Sequence, residues 1–337
     1  MKAAVIGAGY MGSAITFPLA QAGIEVNLWG TWLDDEIVSA ARKGSHPKLK
    51  KPLPGSVSIY YSEDLQQAIE GCQLIFMAVT SQGFMPVLNR LEGCKGWSQA
   101  AFFCLTKGLI EAGGQVKRIS AAALQKTGKA LKWVSVGGPV KAVELAYFTP
   151  TLSVYGTRAG DLTRIIKKIR APYYITETTP DVCGVEICSA FKNVYAMALG
   201  ICDGLYAEEK PGAYHNLSSL VFGQGVKEMA LIVEAGGGKE CTAYGPAGVG
   251  DLYVTSQSGR NRRFGELIGK GVEAGKAYKD MLQIGEVAEG YHALKLGIDY
   301  VKSLGIKDRL PLLSSLYDIV YNSEHPHKGL EHFTGKL

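Results

Sequence analysis

The sequence lacks the features that mark several specialised classes of protein. Its seven cysteines are odd in number, scattered and form no CxxC pair, which favours reduced core thiols and predicts no metal site. No uninterrupted apolar run reaches the roughly 18 residues of a membrane helix. Met1 leads directly into a strand-like segment, where a signal peptide would have its apolar core. We therefore expect a cytoplasmic protein with no membrane span.

The chain also has little excess of charge of either sign. The net charge is +5 and the densest basic cluster, residues 48–51, is short, so nucleic-acid binding is not favoured. The positive sign nevertheless suits an anionic substrate and cofactor. Apolar residues make up 47% and charged residues 20% of the 337, as in a soluble globular protein. A chain of this length predicts two domains.

The N-terminal half contains an alternation of strands and helices. Strand-like apolar runs cover residues 3–7, 25–30, 57–61, 73–79, 100–105, 132–138, 150–156 and 172–177. Because helical patterns separate most of these runs, they predict an α/β domain with a doubly wound, mostly parallel sheet. After about residue 178 the pattern changes to long apolar helices, at residues 179–207, 214–236, 260–270, 286–304 and 311–323. We predict an α/β domain over residues 1–178 and an all-helical domain over residues 179–337.

The first strand ends in a glycine-rich turn with GxGxxG spacing, formed by Gly7, Gly9 and Gly12. These glycines permit a tight turn, close approach of a pyrophosphate and close packing of helix on strand. Because the motif opens a βαβ unit, it predicts a Rossmann-type domain that binds NAD or NADP. The second strand ends without the acidic or arginine residue that would choose between the two. Asp34 and Asp35 come slightly later and are either ribose partners or solvated charges.

Two lysines are candidate catalytic residues. Lys192 lies beside Asn193 near the middle of a long apolar helix, and a lysine is very rarely buried unless it is paired or functional. Burial lowers the pKa of a lysine, which can then donate a proton to a carbonyl oxygen that receives a hydride. Lys107 follows the strand at residues 100–105, at the carboxyl end where doubly wound folds bind ligands. The alternatives are a snorkelling lysine at the helix rim and an ordinary surface lysine.

A second charged segment, residues 247–265, contains Arg260 and Asn261 at the start of a predicted helix. The planar guanidinium suits a phosphate, and donors near a helix start add to that preference. Asp251 ends a predicted glycine-rich turn, where its carboxylate binds a substrate hydroxyl or orients the helix lysine. Glu289 is a candidate partner for ribose or nicotinamide amide hydrogens. The alternative for the basic cluster at residues 260–263 is an exposed turn with no ligand. The alternative for Glu289 is a helix cap.

Taken in order, these segments resemble the NAD(P)-dependent glycerol-3-phosphate dehydrogenase family. The resemblance runs from GAGYMG through TKGL, GGP, the KN-bearing helix and the GDL…RN block to EVAEGY, and it covers most of the chain. It implies the reversible reduction of dihydroxyacetone phosphate by NAD(P)H to sn-glycerol 3-phosphate, a precursor of glycerophospholipids. The partners that it implies are a small phosphorylated substrate and a second copy of the chain in a homodimer.

The resemblance also implies roles for individual residues. Lys192 matches the general acid/base, Lys107 a lysine that touches substrate and cofactor, and Thr255 a threonine that supports the lysine. The implied substrate-binding residues are Lys107, Gly138, Asn193, Asp251, Thr255, Arg260 and Asn261. The implied cofactor-binding residues are Gly7, Gly9, Tyr10, Met11, Gly12, Lys107, Ala142, Arg260, Val287 and Glu289.

The sequence departs from the family pattern at several positions. Tyr10-Met11 replaces a more usual Ser-Trp or Asn-Trp, and the segment around His46-Pro47 matches the family loop only loosely. Val140 stands where many members carry a hydroxyl residue, and Gly259 stands where serine is usual. Two lost hydroxyl contacts weaken substrate binding by about 1–3 kcal/mol unless something replaces them, or they reflect a variant substrate.

Two other functions remain as alternatives. One is a related two-domain dehydrogenase that acts on a carboxylate substrate, of the ketopantoate reductase or hydroxyacid dehydrogenase type. The other is a nicotinamide-nucleotide sensor that does not catalyse, against which the set of Lys107, Lys192 and Asp251 argues.

Overall fold

The computed structural model describes residues 1–206 and 215–337. Two compact units make up this part of the chain. The first consists of Met1–Ala112 and Arg118–Val182, and the second of Gly113–Lys117 and Cys183–Leu337. Residues 207 and 214, which end one predicted helix and begin another, lie outside the described residues.

The first unit contains an eight-stranded sheet. Its strands, together with the short strands β6 and β7 outside it, are β1 (Lys2–Ile6), β2 (Glu25–Trp29), β3 (Val57–Tyr60), β4 (Leu74–Met77), β5 (Ala101–Cys104), β6 (Leu109–Ala112), β7 (Gln115–Arg118), β8 (Lys132–Gly137), β9 (Thr151–Gly156) and β10 (Tyr174–Thr179). The order in the sheet is β10-β9-β8-β5-β4-β1-β2-β3, and every neighbouring pair is parallel except β8 with β9. The mostly parallel sheet predicted from the apolar runs is confirmed, whereas β6 and β7 were not predicted.

Helices cover both faces of this sheet. Alternate residues of β4 belong to different cores: Phe76 packs in one cluster, and Ile75 and Met77 in the other. A strand that is buried on both faces needs apolar residues at every position, which explains the continuous LIFM run. The helices of this part of the chain are α1 (Tyr10–Gln21), α2 (Asp35–Arg42), α3 (Leu65–Ile69), α4 (Ser81–Glu92), α5 (Ile119–Thr127), α6 (Ala142–Ala146) and α7 (Gly160–Lys168), with a 3₁₀ turn at Trp97–Gln99.

The second unit is built from helices, apart from Gly113–Lys117, which contains most of β7. The helices are α8 (Val182–Tyr206), α9 (His215–Ala235), α10 (Glu240–Tyr244), α11 (Asp251–Gln257), α12 (Arg260–Gly269), α13 (Ala274–Gln283), α14 (Glu289–Ser303), α15 (Pro311–Tyr321) and α16 (Pro326–Thr334), with a π-helical turn at Pro246–Gly250 and a 3₁₀ turn at Lys307–Arg309. The all-helical architecture and the five long predicted helices are confirmed.

The predicted glycine-rich turn that ends at Asp251 is wrong. A π-helical turn runs straight into α11, so Asp251 and Thr255 lie on a helix. The glycine that suggested a turn is needed for packing: a Cβ at Gly248 would lie 2.0 Å from the Ala243 carbonyl oxygen. Close contact of backbones, rather than a change of chain direction, explains that glycine.

The α8 helix is long and apolar enough to cross a membrane by length and composition, with a mean hydropathy of 1.3 over its most apolar window. That window is nevertheless 100% buried inside the protein. Burial of this kind is typical of a core helix in a soluble protein.

Candidate active site

Lys192 on α8 forms a buried ion pair. Its ammonium group contacts the carboxylate of Asp251, the first residue of α11, and the two residues are 6% and 0% exposed. The alternative of a snorkelling lysine at the helix rim is therefore wrong. A buried ion pair that lost either partner would leave an uncompensated charge in the interior, so the two residues depend on each other. Asp251 thus contacts Lys192, as one of its two predicted roles requires, and its role toward the substrate stays a prediction.

The start of α11 is fixed by a local hydrogen bond. Thr255 donates from its hydroxyl to the carbonyl oxygen of Asp251, one helical turn before it, at 2.7 Å. The half-buried threonine therefore contacts the backbone that carries the carboxylate partner of Lys192.

Glu289, at the start of α14, connects two other helices. Its Oε2 accepts a hydrogen bond from Nδ2 of the buried Asn193 at 3.0 Å, and its Oε1 lies 3.8 Å from Nη2 of Arg260. The carboxylate is thus aimed at neighbouring side chains, and no side-chain cap closes the start of α14. The contact of Arg260 with Glu289 is long, and the arginine side chain is 44% exposed. Its guanidinium is therefore accessible to a phosphate.

Asn261 completes this junction. Its Oδ1 accepts a hydrogen bond from the backbone N–H of Gly290 at 2.8 Å. Gly290 is required to be small, because a Cβ there would lie 2.8 Å from the carbonyl oxygen of Asn193. The helices α8, α12 and α14 therefore meet at Asn193, Asn261 and Gly290, and sequence reasoning missed the last of these because a single glycine after a glutamate gives no specific signal.

Four glycines bring α12 against α8, and we call them the glycine seam. A Cβ on Gly200 or Gly204 of α8 would lie 2.0 and 2.2 Å from carbonyl oxygens of α12. A Cβ on Gly265 or Gly269 of α12 would lie 2.0 and 2.3 Å from carbonyl oxygens of α8. Only hydrogen fits at these positions. The seam holds the N-terminus of α12, with Arg260 and Asn261, near the middle of α8.

The backbone conformation explains why glycine stands at position 259, where serine is usual in the family. This residue precedes α12 with φ +131° and ψ 176°, a conformation that side chains other than glycine rarely adopt. The start of α12 therefore requires glycine in this chain. Val140, the other position without a hydroxyl, is half-buried and packs against the core of the first unit.

In the first unit, the glycine-rich turn has the shape that a pyrophosphate needs. Gly7 has φ +107°, and a Cβ on Gly12 would lie 1.9 Å from the Gly7 carbonyl oxygen. A Cβ on Gly9, in contrast, would meet nothing within 4 Å, so the backbone is open on that side. Tyr10 is exposed and Met11 is half-buried at the start of α1. The turn therefore fits a dinucleotide, with donors at the helix N-terminus for its phosphates.

Other predicted residues of the first unit follow strands of the same sheet. Lys107 comes three residues after β5 and is half-buried, Gly138 follows β8 with φ +108°, and Ala142 begins α6. Since β1, β4, β5 and β8 are consecutive parallel neighbours, their carboxyl ends lie along one edge, where such sheets bind ligands. The half-buried Val287 lies in the second unit, just before α14.

Asp34 is not a solvated charge. Its Oδ2 accepts hydrogen bonds from the Thr31 hydroxyl at 2.8 Å, from the Thr31 N–H at 3.0 Å and from the Ala8 N–H at 3.4 Å. The neighbouring Asp35 accepts from the backbone and hydroxyl of Ser62 instead. Asp34 therefore faces the glycine-rich turn, and Asp35 does not.

A dinucleotide-binding turn on a doubly wound sheet, followed by a helical unit with a buried lysine–aspartate pair, defines an NAD(P)-dependent oxidoreductase. The profile described as NAD-dependent glycerol-3-phosphate dehydrogenase N-terminus matches residues 2–161, and its C-terminus counterpart matches residues 181–331. The chain belongs to the NAD-dependent glycerol-3-phosphate dehydrogenase family.

Individual relatives agree with this assignment. An NADP(+)-dependent glycerol-3-phosphate dehydrogenase from Archaeoglobus fulgidus is 33% identical and covers 95% of each chain. A glycerol-3-phosphate dehydrogenase [NAD(P)+] from Geobacillus kaustophilus is 31% identical over 97% of this chain and 92% of the relative. The crystal structure of the Coxiella burnetii glycerol-3-phosphate dehydrogenase superimposes with a TM-score of 0.84 at 28% identity, over 99% of this chain and 98% of that one.

The fold is shared more widely. A ketopantoate reductase from Ralstonia eutropha has a TM-score of 0.57 at 17% identity, and it covers 99% of this chain and 100% of its own. This likeness shows a common fold and carries no argument about the substrate.

Proposed function

We propose that the protein catalyses the reversible reduction of dihydroxyacetone phosphate to sn-glycerol 3-phosphate with NADH or NADPH. The observation that carries the proposal is the buried ion pair of Lys192 and Asp251, in the same unit as the accessible guanidinium of Arg260. A proton donor for a ketone and a cation for a phosphate are the two groups that this substrate requires. The family to which the chain belongs supports the same reaction.

Arg260 and Asn261 bind the substrate phosphate. The guanidinium offers a fork of donors that matches phosphate oxygens. Asn261 uses its Oδ1 for Gly290, so its amide nitrogen is the donor toward the substrate. Binding energy from the phosphate, which does not react, orients the ketone.

Lys192 supplies the proton. When bound, NADH or NADPH supplies the hydride that reduces the carbonyl carbon. The protonated amine of Lys192 donates to the carbonyl oxygen as negative charge develops there, and it takes the proton back in the reverse direction. Asp251 holds the ammonium group in place, and Thr255 holds the backbone of Asp251.

The first unit binds the cofactor. Gly7, Gly9 and Gly12 receive the pyrophosphate, with Tyr10 and Met11 beside it. The remaining proposed cofactor contacts are Lys107, Ala142, Arg260, Val287 and Glu289, and Lys107 and Gly138 also contact the substrate. We further propose that the protein works in the cytoplasm as a homodimer, a state that analytical ultracentrifugation measures directly.

One set of assays tests the reaction. We expect oxidation of NADH or NADPH with dihydroxyacetone phosphate, and none with 2-ketopantoate or phenylglyoxylate at the same concentration. Faster turnover of either 2-oxo acid would contradict the proposed substrate and favour a related dehydrogenase. Binding of a dinucleotide without turnover of any of the three ketones would favour a sensor.

A further inference from the structure

His46 is a fully buried histidine that the proposed reaction does not use. It is 0% exposed and lies in a tight loop that its own backbone closes, since the His46 N–H donates to the Lys51 carbonyl oxygen at 3.0 Å. Both ring nitrogens have partners. Nδ1 accepts a hydrogen bond from the Leu49 N–H at 3.2 Å. In this tautomer, Nε2 carries the proton.

The Nε2 of His46 points at the glycine-rich turn. It lies 2.8 Å from the hydroxyl of Ser13 and 3.1 Å from the carbonyl oxygen of Ala8. Ser13 is also fully buried, and its hydroxyl donates to the same Ala8 carbonyl oxygen at 3.2 Å. His46 Nε2–H therefore donates to the Ser13 hydroxyl, and this hydroxyl donates to the Ala8 carbonyl oxygen. The same ring nitrogen also contacts the Ala8 carbonyl oxygen directly.

The hydrogen bonds to the Ala8 carbonyl oxygen also fix the orientation of the Gly9 N–H. It belongs to the peptide that joins Ala8 to Gly9, and in a planar trans peptide the C=O and the N–H point in opposite directions. Because the oxygen is held toward Ser13 and His46 in the interior, the Gly9 N–H points the other way. That N–H has no hydrogen-bond acceptor among the residues that the structure describes, and the space around Gly9 is open.

We propose that His46 and Ser13 lock the Ala8–Gly9 peptide in the orientation that presents the Gly9 N–H to the cofactor pyrophosphate. A glycine peptide rotates easily, since glycine accepts backbone conformations that other residues avoid. Without the lock, the carbonyl oxygen can turn outward and repel the phosphate. His46 is then a positioning residue for the cofactor, and this role rests on the proposed function.

A double-mutant cycle on cofactor affinity tests the lock. The measurement is the Kd of NADH and of NADPH by fluorescence titration without substrate. For the wild type's preferred dinucleotide, we expect Ser13→Ala and His46→Leu each to raise Kd on the order of five- to tenfold. The double variant should be little weaker than the worse single variant, because both act on one peptide. The KM for the cofactor should rise in parallel, while the KM for dihydroxyacetone phosphate stays unchanged.

Two further variants separate the lock from general damage to the fold. Thr16→Val removes another fully buried hydroxyl of α1, which donates to the Ser13 carbonyl oxygen at 2.7 Å and does not face the turn. Its Kd should equal that of the wild type. His46→Gln places an amide N–H near the position of Nε2 and should restore affinity to within about threefold of the wild type. If His46→Leu does not fold, Ser13→Ala and His46→Gln carry the test.

The outcomes are distinct. Unchanged Kd values in folded Ser13→Ala and His46→Leu would overturn the lock while leaving the proposed function intact. If the losses of cofactor affinity in the two single variants multiply in the double variant, the two residues do not act on one peptide, and the proposal is overturned. An equal loss of affinity in Thr16→Val would also overturn it. Failure of the wild type to bind either dinucleotide would overturn the proposed function, and the lock with it.

Discussion

The ion pair of Lys192 and Asp251 contributes both to the stability of the fold and to the proposed chemistry. Removal of one partner leaves the other as an unpaired buried charge, at a cost of about 3–5 kcal/mol. Loss of activity in a single variant would therefore not distinguish chemistry from folding. Substitution of both residues by neutral ones of similar shape makes the distinction.

We expect Lys192→Met to lower both the melting temperature and kcat, the latter by about two to four orders of magnitude. The double variant Lys192→Met with Asp251→Asn should recover most of the melting temperature, since no buried charge is left unpaired, but none of the turnover. Calorimetry and the dihydroxyacetone phosphate assay measure the two quantities. Recovery of turnover in the double variant would show that Lys192 is not the proton donor.

The phosphate contact predicts a different kinetic signature. Arg260→Ala should raise the KM for dihydroxyacetone phosphate about tenfold to a hundredfold, because a charge-assisted fork of hydrogen bonds is lost. Arg263→Ala is the matched control, as Arg263 lies on the same helix and its guanidinium is paired with Glu286 at 3.1 Å. An equal rise in KM for both variants would assign the effect to net charge instead of to a contact.

At the residue scale, the sequence permitted prediction of a buried lysine and of Asp251 as a candidate partner for it, but not of the other contacts around them. The apolar helix around Lys192 indicated burial. The bond from Asn193 to Glu289 joins positions 96 residues apart, and no local pattern reports such a pairing. The contacts of Asp34 with Ala8 and of His46 with Ser13 were missed for the same reason.

At the scale of the element, the glycine seam makes the placement of α12 depend on the absence of side chains. We expect Gly265→Ala to destabilise the protein by about 3 kcal/mol, because its Cβ would lie 2.0 Å from the Met197 carbonyl oxygen. The displaced α12 should also lower kcat/KM, since Arg260 and Asn261 begin that helix. Urea denaturation and steady-state kinetics measure both effects.

Gly223→Ala provides the control for this prediction. Gly223 lies in α9, and a Cβ there would meet nothing within 4 Å. Alanine is the better helix former by up to about 1 kcal/mol, so this variant should be as stable as the wild type or more stable. Equal destabilisation of the two variants would mean that the seam has no special role.

The strands of the eight-stranded sheet could be predicted from local patterns, whereas several helices could not. A strand buried on both faces needs an unbroken apolar run, as in LIFM of β4, and such a run is visible in a sequence. The residues around Gly248 and Gly250 suggest a turn by local rules. In the structure they form a π-helical turn in which Gly248 permits close contact with α10, and tertiary contacts of this kind have no local signature.

At the scale of the whole molecule, the seven cysteines are all in the reduced thiol form and differ in exposure. Cys241 is exposed, whereas burial raises the pKa of the half-buried Cys72 to about 11 and also raises the pKa of Cys94. Since the thiolate is the reactive form, we expect Ellman's reagent to modify one thiol rapidly in the native protein and seven after denaturation. Cys241→Ser should abolish the rapid phase. A rapid phase that remains in that variant would contradict the low reactivity expected of the other six thiols.

The reversal of direction at β9 limits where a nucleotide can lie along the sheet. β9 and β10 pair in parallel with each other but run opposite to β8 and to the strands beyond it. Their carboxyl ends consequently face away from the edge of the sheet that carries the GxGxxG motif, and β8, which Gly138 follows, is the last strand of that polarity on this side. Attempts to graft a longer coenzyme analogue onto this scaffold should therefore extend it toward β3, where the strands still share one polarity.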